Sequence, residues 1–321
     1  MTPPAPFRRR WPWVTADLQT LRNVLPGRLA GVPADSGQRI EIPLSDGSGD
    51  RLVARYHPGR APAPAVILVP GLTGCDASRH VLQAADAWVA EGAPVVRLNL
   101  RGSPPGRSVA KGHYHMDRVQ DLADACLAVA DLDPAIRRQG IVIVGFSLGG
   151  ALALRLAQAP SRPEIVKAVV TVSAPLDLPA TAERIARPRN RLYERWLLGR
   201  LRQETAPLWR NGPAAVRAAV QGARHIRDFD DALTAKEAGF RDAADYYASC
   251  SPIRCMERLA VPTLIIHADD DPWVSPPSVV ERGPLRVAVT RGGGHVGFHG
   301  RGSRIPWYVG AAARFVQSCQ G

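Results

Sequence analysis

Residues 140–151, Gly-Ile-Val-Ile-Val-Gly-Phe-Ser-Leu-Gly-Gly-Ala, constrain the fold more than any other stretch of this 321-residue chain. The β-branched run 141–144 is too short for a core helix and predicts a strand that is buried on both faces. Small residues at helical spacing follow Ser147, so the chain must turn sharply there. Gly145 and Gly149 leave room for this turn, because side chains at those positions would collide with the strand or the helix. The stretch therefore predicts a strand, a tight turn and a helix.

Apolar strands and helices alternate along the chain, which is typical of an α/β fold with a mostly parallel, doubly wound central sheet. Residues 39–44 and 51–57 flank a Gly-rich turn and predict an antiparallel hairpin at the sheet edge. The further strands are predicted at 65–69, 94–98, 141–144, 165–172, 262–267 and 285–290. The helices around them are predicted at 78–91, 117–132, 148–158 and 307–317.

The pattern predicts one domain over residues 1–321 with a single insertion. Residues 1–38 are rich in Pro, Arg and Trp and lack clear periodicity, so we expect an irregular lead-in that packs on the domain. Residues 175–256 contain no convincing strand, but they include amphipathic stretches such as 192–201 and 213–220. This segment predicts a helical cap inserted into the sheet domain.

The net charge of +12 raises the question of an anionic partner. Nearly all of this charge is arginine, spread through the chain without a nucleic-acid motif, so we expect no nucleic-acid partner. Between residues 181 and 227, however, eleven arginines face only three glutamates. Two interpretations stay open for this segment: a solvated helical face, or weak association with an anionic membrane surface.

The cysteines and the apolar pattern indicate the cellular compartment in which the protein is expected. Five scattered cysteines without a C-x-x-C pair indicate neither a disulfide framework nor a zinc site. No apolar run approaches the ~18 residues that span a bilayer, and no secretory signal follows the arginines near the start. These observations favour the reducing cytoplasm.

The turn at Ser147 presents a serine that can act as a nucleophile if a base removes its proton and an acid orients that base. Aspartates follow the predicted strand 262–267, and His295 follows the strand 285–290 after three glycines. Because the carboxyl ends of parallel strands meet at one edge of the sheet, these residues are expected to converge. The order of serine, aspartate and histidine predicts a catalytic triad with His295 as the base.

Three consecutive aspartates compete for the role of the acid. We choose Asp271, because the following Pro272 fixes the chain direction at the turn of the loop. Asp270 is the second candidate. Asp269 and Asp270 also have an ordinary structural explanation, since aspartates after a strand often accept hydrogen bonds from loop amides.

An acyl-transfer site also needs donors for the oxyanion, which in such a fold are backbone N–H groups. We predict those of Leu72 and Leu148. The stretch Pro70-Gly71-Leu72-Thr73-Gly74 is similar to an H-G-x-x-G loop with proline in place of histidine. No cofactor and no metal are predicted, since His113 and His115 lack an evident third ligand. The remaining histidines, His57, His80, His225, His267 and His299, are assigned no role.

Taken together, the motifs resemble the α/β hydrolases, and within them the YheT-like branch related to ABHD-type lipases and esterases. The resemblance extends from about Asp17 nearly to the C-terminus. Its motifs are Gly71-Leu72-Thr73-Gly74, Asn99-Leu100-Arg101-Gly102, Gly145 to Gly150, Ile226-Arg227-Asp228-Phe229-Asp230-Asp231, Ala244-Asp245-Tyr246-Tyr247 with Ser251, and Gly293 to Phe298.

The resemblance implies an α/β-hydrolase fold and a serine hydrolase that acts on a small-molecule ester through an acyl-enzyme on Ser147. Carboxylic esters with short or medium acyl chains, and also lipid esters, are the implied substrates. It likewise implies Asp271 as acid and His295 as base. Two alternatives stay open: an acyltransferase or thioesterase with the same triad, and a non-catalytic binding protein.

The chain departs from the family pattern at two places. Thr15-Ala16-Asp17 stands where the family has Gly-Gly-His, and Met116-Asp117 follows Tyr114-His115 where small residues are usual. Both departures concern the shape of the pocket, and neither touches the predicted triad.

Overall fold

A computed structural model describes residues 6–24 and 32–319. Strands are present at Gln38–Pro43 (β1), Arg51–His57 (β2), Ala65–Val69 (β3), Val95–Leu98 (β4), Ile141–Phe146 (β5), Val166–Val172 (β6), Thr263–Ala268 (β7) and Leu285–Thr290 (β8). Within the described residues they form one eight-stranded sheet in the order β1-β2-β4-β3-β5-β6-β7-β8. β2 pairs antiparallel with β1 and β4, whereas the pairs from β4 to β8 are parallel. The predicted fold class is confirmed.

The helices alternate with the strands through most of the chain. Their bounds are Ala16–Leu21 (α1), Arg79–Ala90 (α2), Val119–Ala130 (α3), Pro134–Gln139 (α4), Leu148–Gln158 (α5), Leu178–Ile185 (α6), Arg191–Glu204 (α7), Ala206–Trp209 (α8), Ala214–Gly222 (α9), Ile226–Phe229 (α10), Ala235–Glu237 (α11), Ala243–Cys250 (α12) and Trp307–Ser318 (α13). Short 3₁₀ segments lie at Pro104–Val109, Pro188–Asn190 and Pro252–Arg258, and Asp230–Thr234 is π-helical.

Both faces of the central strands are buried, which explains their continuous apolar sequence. Alternate residues point to opposite faces, so Ile67 and Ile143 belong to the core that includes α3 and α5. Val66 and Val142 belong to the opposite core, which includes α2 and α13. The sheet is thus covered by helices on both sides.

The segment between β6 and β7 contains α6 to α12 and has an apolar cluster of its own. Ile185, Leu197, Leu201, Trp209 and Phe229 are buried against one another in that cluster. The amphipathic pattern of α7 accounts for this packing, since Leu197 and Leu201 lie one turn apart on the same helix face. The segment therefore packs as a helical layer of its own.

The lead-in differs from the expectation of an irregular segment. Residues 16–21 form α1, whose first turn is capped by the Thr15 side chain accepting a hydrogen bond from Leu18 N–H. The aromatic ring of Phe7 packs edge-on against Phe298 and Trp307. Residues 1–5 and 25–31 of the predicted lead-in, and the last two residues of the predicted domain, lie outside the described residues.

A helix that crosses a bilayer needs about 20 predominantly apolar residues. Over residues 6–24 and 32–319, none of the helices is both long and apolar enough to cross a membrane.

Candidate active site

Ser147 lies between the end of β5 and the start of α5. Its backbone has a conformation that residues other than glycine rarely adopt (φ 50°, ψ −123°). The glycines around it explain how the turn is accommodated. A Cβ atom on Gly145 would lie 2.5 Å from the Gly149 carbonyl oxygen, and one on Gly149 would collide with the Pro70 carbonyl. The close approach of strand and helix therefore requires glycine at both positions.

The structure brings Ser147, Asp271 and His295 together at the carboxyl edge of the sheet. His295 Nε2 lies 2.9 Å from Ser147 Oγ, and His295 Nδ1 lies 2.8 Å from Asp271 Oδ2. With its proton on Nδ1, the ring donates to the carboxylate and leaves Nε2 free to accept the serine proton. This arrangement can transfer a proton away from the serine hydroxyl.

The carboxylate of Asp271 is fully buried and well supplied with hydrogen bonds. Its Oδ1 accepts from the N–H groups of Trp273 at 2.8 Å and Val274 at 3.0 Å. Burial works to raise the pKa of Asp271, but the neighbouring His295 ring and its hydrogen bond hold that pKa below the ordinary value. The group is therefore kept as an anion beside the imidazole.

The neighbouring aspartates have other partners. Asp269 accepts a hydrogen bond from Gly292 N–H at 2.7 Å, and Asp270 accepts one from Gly294 N–H at 2.9 Å. Asp270 also forms an ion pair with Arg9 at 2.9 Å. These two carboxylates stabilise the glycine loop that presents His295. They accept hydrogen bonds from loop amides, as the ordinary structural explanation for Asp269 and Asp270 predicts.

Side chains from the helical segment hold the Asp271 loop from the other side. Arg184 donates to the Asp271 carbonyl oxygen at 2.6 Å, and Asn190 donates to the Pro272 carbonyl oxygen at 2.8 Å. The Trp273 ring lies against the His295 ring, with 4.4 Å between centroids. The segment between β6 and β7 thus contributes to the position of the acid.

The two predicted oxyanion donors flank Ser147 in different elements. Leu148 opens α5, so its N–H has no acceptor within the helix and faces the region where a helix end favours negative charge. Gly71, which precedes Leu72, lies so close that a Cβ atom on it would be 3.0 Å from Ser147 Cβ. Both residues therefore lie beside Ser147, and their role as oxyanion donors stays a prediction.

A cavity of about 250 Å³ opens at Ser147 and His295. Most of its wall is apolar, and several of these side chains come from the segment between β6 and β7, among them Leu178, Ile185, Trp196, Leu197 and Leu201. The wall also includes His113 and His115, and burial lowers their pKa values to about 4 and about 3. Both rings are therefore neutral parts of the wall near pH 7.

Several residues at the site were not singled out from the sequence. Thr20 Oγ accepts a hydrogen bond from His295 N–H at 2.9 Å, and Tyr114 and Glu204 meet beside the Leu72 turn. Thr20 belongs to the lead-in stretch covered by the family resemblance, which is a usable signal. No sequence signal indicates Glu204, because a glutamate in an arginine-rich helix is expected to be a solvent-exposed charge.

Comparison with known proteins places this geometry in a family. The family described as "alpha/beta hydrolase fold" matches residues 64–300. The putative esterase YheT of Escherichia coli is 32% identical over 271 residues, covering 82% of this chain and 78% of the relative. The phospholipase ABHD3 of Mus musculus is 27% identical over 272 residues, covering 83% and 64% respectively.

Solved structures agree in fold. An esterase of Pyrococcus furiosus superposes with a TM-score of 0.59 at 16% identity, covering 92% of this chain and 98% of that protein. A 2,6-dihydroxy-pseudo-oxynicotine hydrolase superposes with a TM-score of 0.56 at 20% identity, covering 94% and 71%. At such identities the likeness concerns the fold alone. The family match and the YheT relative together show that the chain belongs to the α/β hydrolase family.

Proposed function

We propose that this protein hydrolyses carboxylic esters through an acyl-enzyme formed on Ser147. The observation that carries the proposal is the continuous hydrogen-bond chain from Ser147 through His295 to Asp271. Relatives named as an esterase, a phospholipase and a monoacylglycerol lipase support the reaction class. Nothing in this chemistry calls for a cofactor, since the base and the nucleophile are supplied by the chain itself.

In the first half of the reaction, Ser147 Oγ bonds to the ester carbonyl carbon while His295 Nε2 takes the hydroxyl proton. The negative charge that forms on the carbonyl oxygen would be stabilised by the N–H groups of Leu72 and Leu148. Collapse of this intermediate breaks the bond to the alcohol oxygen, which receives the proton from His295. The alcohol leaves, and the acyl group stays on Ser147.

In the second half, water attacks the acyl carbon while His295 accepts one of its protons. The bond to Ser147 Oγ then breaks, Oγ recovers the proton, and a carboxylic acid is released. Asp271 stabilises the imidazolium in both halves without taking the proton itself. An acyltransferase would differ only in the second acceptor, so the same residues also serve that alternative.

The cavity supports a substrate with a short or medium acyl chain. Its apolar wall suits a hydrocarbon chain, and its 250 Å³ volume suits a compact one. Lipid esters of that length are included in the proposal. The helices between β6 and β7 supply much of the wall, and we assign them the role of a cap over the site.

The cysteines support a location in the cytoplasm, which is a reducing compartment. Free thiols are present at Cys75, Cys126, Cys250, Cys255 and Cys319.

The exposed face of α7 supports weak association with an anionic lipid surface. Leu192 is 80% exposed, and Trp196, one turn later, is 44% exposed while also lining the cavity. The exposed Arg191 and Arg195 flank this pair, and the Arg200 guanidinium lies 5.5 Å from the Trp196 ring centroid. Apolar side chains bordered by arginines are typical of a helix that rests on anionic lipid.

The proposed reaction is tested with a panel of esters from acetyl to palmitoyl, each with a small and a glycerol-like alcohol portion. We expect hydrolysis to peak at short or medium chains and to fall by roughly 10⁵–10⁶-fold in Ser147→Ala, with the fold retained. Adding alternative alcohol and thiol acceptors separates hydrolysis from transfer by the ratio of acid to new ester. Hydrolysis that persists in Ser147→Ala would refute the assignment, and failure of the unchanged protein to cleave any ester would favour a binding protein.

A further inference from the structure

The turn that carries Leu72 is held on both sides of the adjoining residue, Thr73. Thr73 N–H donates a hydrogen bond to the Tyr114 hydroxyl at 2.9 Å, and Arg200 Nη2 donates to the Thr73 carbonyl oxygen at 3.2 Å. Thr73 has a φ of 57°, in the left-handed region that is costly for a β-branched residue. Such a conformation persists only where its surroundings fix it, and these two contacts help to do so.

The Tyr114 hydroxyl is itself tied to the cap. Because it accepts from Thr73 N–H, its own proton is available, and it donates that proton to Glu204 Oε2 at 3.0 Å. Glu204 is buried at the end of α7, one turn beyond Arg200, with 3.8 Å between Arg200 Nη2 and Glu204 Oε1. One cap helix therefore reaches both the N–H and the carbonyl of the residue next to Leu72.

The burial of Glu204 is costly, which argues that the contact matters. Burial raises the pKa of Glu204, while the Tyr114 hydrogen bond and Arg200 act in the opposite direction. An aliphatic residue of similar size at the end of α7 would avoid the cost of burying a carboxylate. Such a residue could not accept the Tyr114 proton, so it could not hold the hydroxyl in the orientation that accepts the hydrogen bond from Thr73 N–H.

We propose that Tyr114 and Glu204 are positioning residues that aim the Leu72 N–H at the oxyanion, so that the cap affects the chemical step as well as substrate binding. The inference rests on the proposed function, because it assigns Leu72 as an oxyanion donor. Its consequence is specific: loss of the tyrosine hydroxyl lowers kcat and leaves KM nearly unchanged, since the donor acts on the transition state.

The chain offers a matched control for this test. Tyr308 is also buried, and its hydroxyl also bonds a backbone group, since it donates to the His80 carbonyl oxygen at 3.3 Å, but Tyr308 is not part of the cavity wall. Tyr114→Phe and Tyr308→Phe therefore each remove one buried hydroxyl that bonds the backbone. A merely structural role for both hydroxyls would give the two variants the same kinetics.

We expect Tyr114→Phe to lower kcat about 10- to 100-fold, with KM changed less than about threefold. This loss is smaller than the loss of kcat that follows complete removal of one oxyanion donor. Tyr308→Phe should leave kcat within about threefold. Affinity for a trifluoromethyl ketone, which forms an oxyanion on the serine, should fall in parallel with kcat in Tyr114→Phe. Equal kcat in the two variants would overturn the inference.

Variants on the cap side test the same contact if Tyr114→Phe does not fold. Glu204→Gln keeps an acceptor oxygen for the tyrosine hydroxyl and should retain most of kcat, whereas Glu204→Leu should resemble Tyr114→Phe. Retention of full kcat by Glu204→Leu would also overturn the inference. If the unchanged protein hydrolyses no ester, the proposed function fails and the inference fails with it. If it does hydrolyse esters and the variants show no difference, only the inference fails.

Discussion

The loops at the carboxyl edge of the sheet and the helices between β6 and β7 meet at one cavity but are built differently. Ser147 is held by its own backbone, since its N–H donates to the Val172 carbonyl oxygen of β6 at 2.9 Å. The helices reach the site through long side chains, such as Arg184 and Glu204. The backbone position of Ser147 is thus fixed by the sheet, whereas the cavity wall depends on helix side chains that can be exchanged without disturbing the strands.

The division is incomplete at two points. Arg184 holds the carbonyl of Asp271, and the pair of Arg200 and Glu204 reaches the turn that carries Leu72. Because of these contacts, we expect changes in the helices to alter the rate of reaction as well as the choice of substrate.

The largest of these effects is expected for the carboxylate that follows β7. Asp271→Asn should lower kcat/KM by roughly 10³–10⁴-fold, because an amide cannot stabilise the imidazolium and favours the wrong tautomer. Asp270→Asn is the matched control, since Asp270 pairs with Arg9 and a loop amide. We expect a loss of less than about tenfold there. The values of kcat/KM are measured from initial rates on the ester that the unchanged protein hydrolyses fastest. Equal losses of kcat/KM in both variants would contradict the choice of Asp271.

An intermediate effect is expected for Tyr114→Phe, because Tyr114 links the turn that carries Leu72 to Glu204 on α7. A kcat loss confined to this variant and to Glu204→Leu would show that the two regions are coupled. A change in KM alone would place Tyr114 with the cavity wall.

The smallest effect is expected on the exposed face of α7. Leu192→Glu should weaken binding to anionic phosphatidylglycerol vesicles about tenfold, because it replaces an exposed apolar group with a charge that lipid phosphates repel. The control is Leu127→Glu on α3, which changes a leucine that is 51% exposed. Cosedimentation at low and high salt measures the binding. Salt-independent binding, or equal loss in both variants, would support the alternative of a solvated helical face.

The sheet and the strand-to-helix turn could be predicted because their sequence reflects their surroundings directly. The strand 141–146 is apolar throughout since both faces are buried, and Ser147 interrupts the run at the turn. Pro272 led to the choice of Asp271 as the acid, and the contact between His295 Nδ1 and Asp271 Oδ2 supports that prediction. The helix α1 was missed, because its short amphipathic stretch is interrupted by buried polar residues such as Gln19 and Thr20.

The contacts that the helices between β6 and β7 make with the site could not be predicted in the same way. Glu204 lies 90 positions from Tyr114 in the chain, and its burial follows from how α7 rests on the Leu72 turn. The same holds for Arg184, which is one of many arginines until the fold brings it to Asp271. Local sequence patterns report whether a helix face is apolar, but not which polar side chain is drawn into the site.

The most direct test of the central claim is the site of a covalent adduct. The protein is treated with a fluorophosphonate and digested, and the modified residue is identified by mass spectrometry. We predict one adduct per chain, on Ser147, with no labelling of Ser147→Ala and slowed labelling of Asp271→Asn. An adduct on another residue, or labelling that survives Ser147→Ala, would contradict the account.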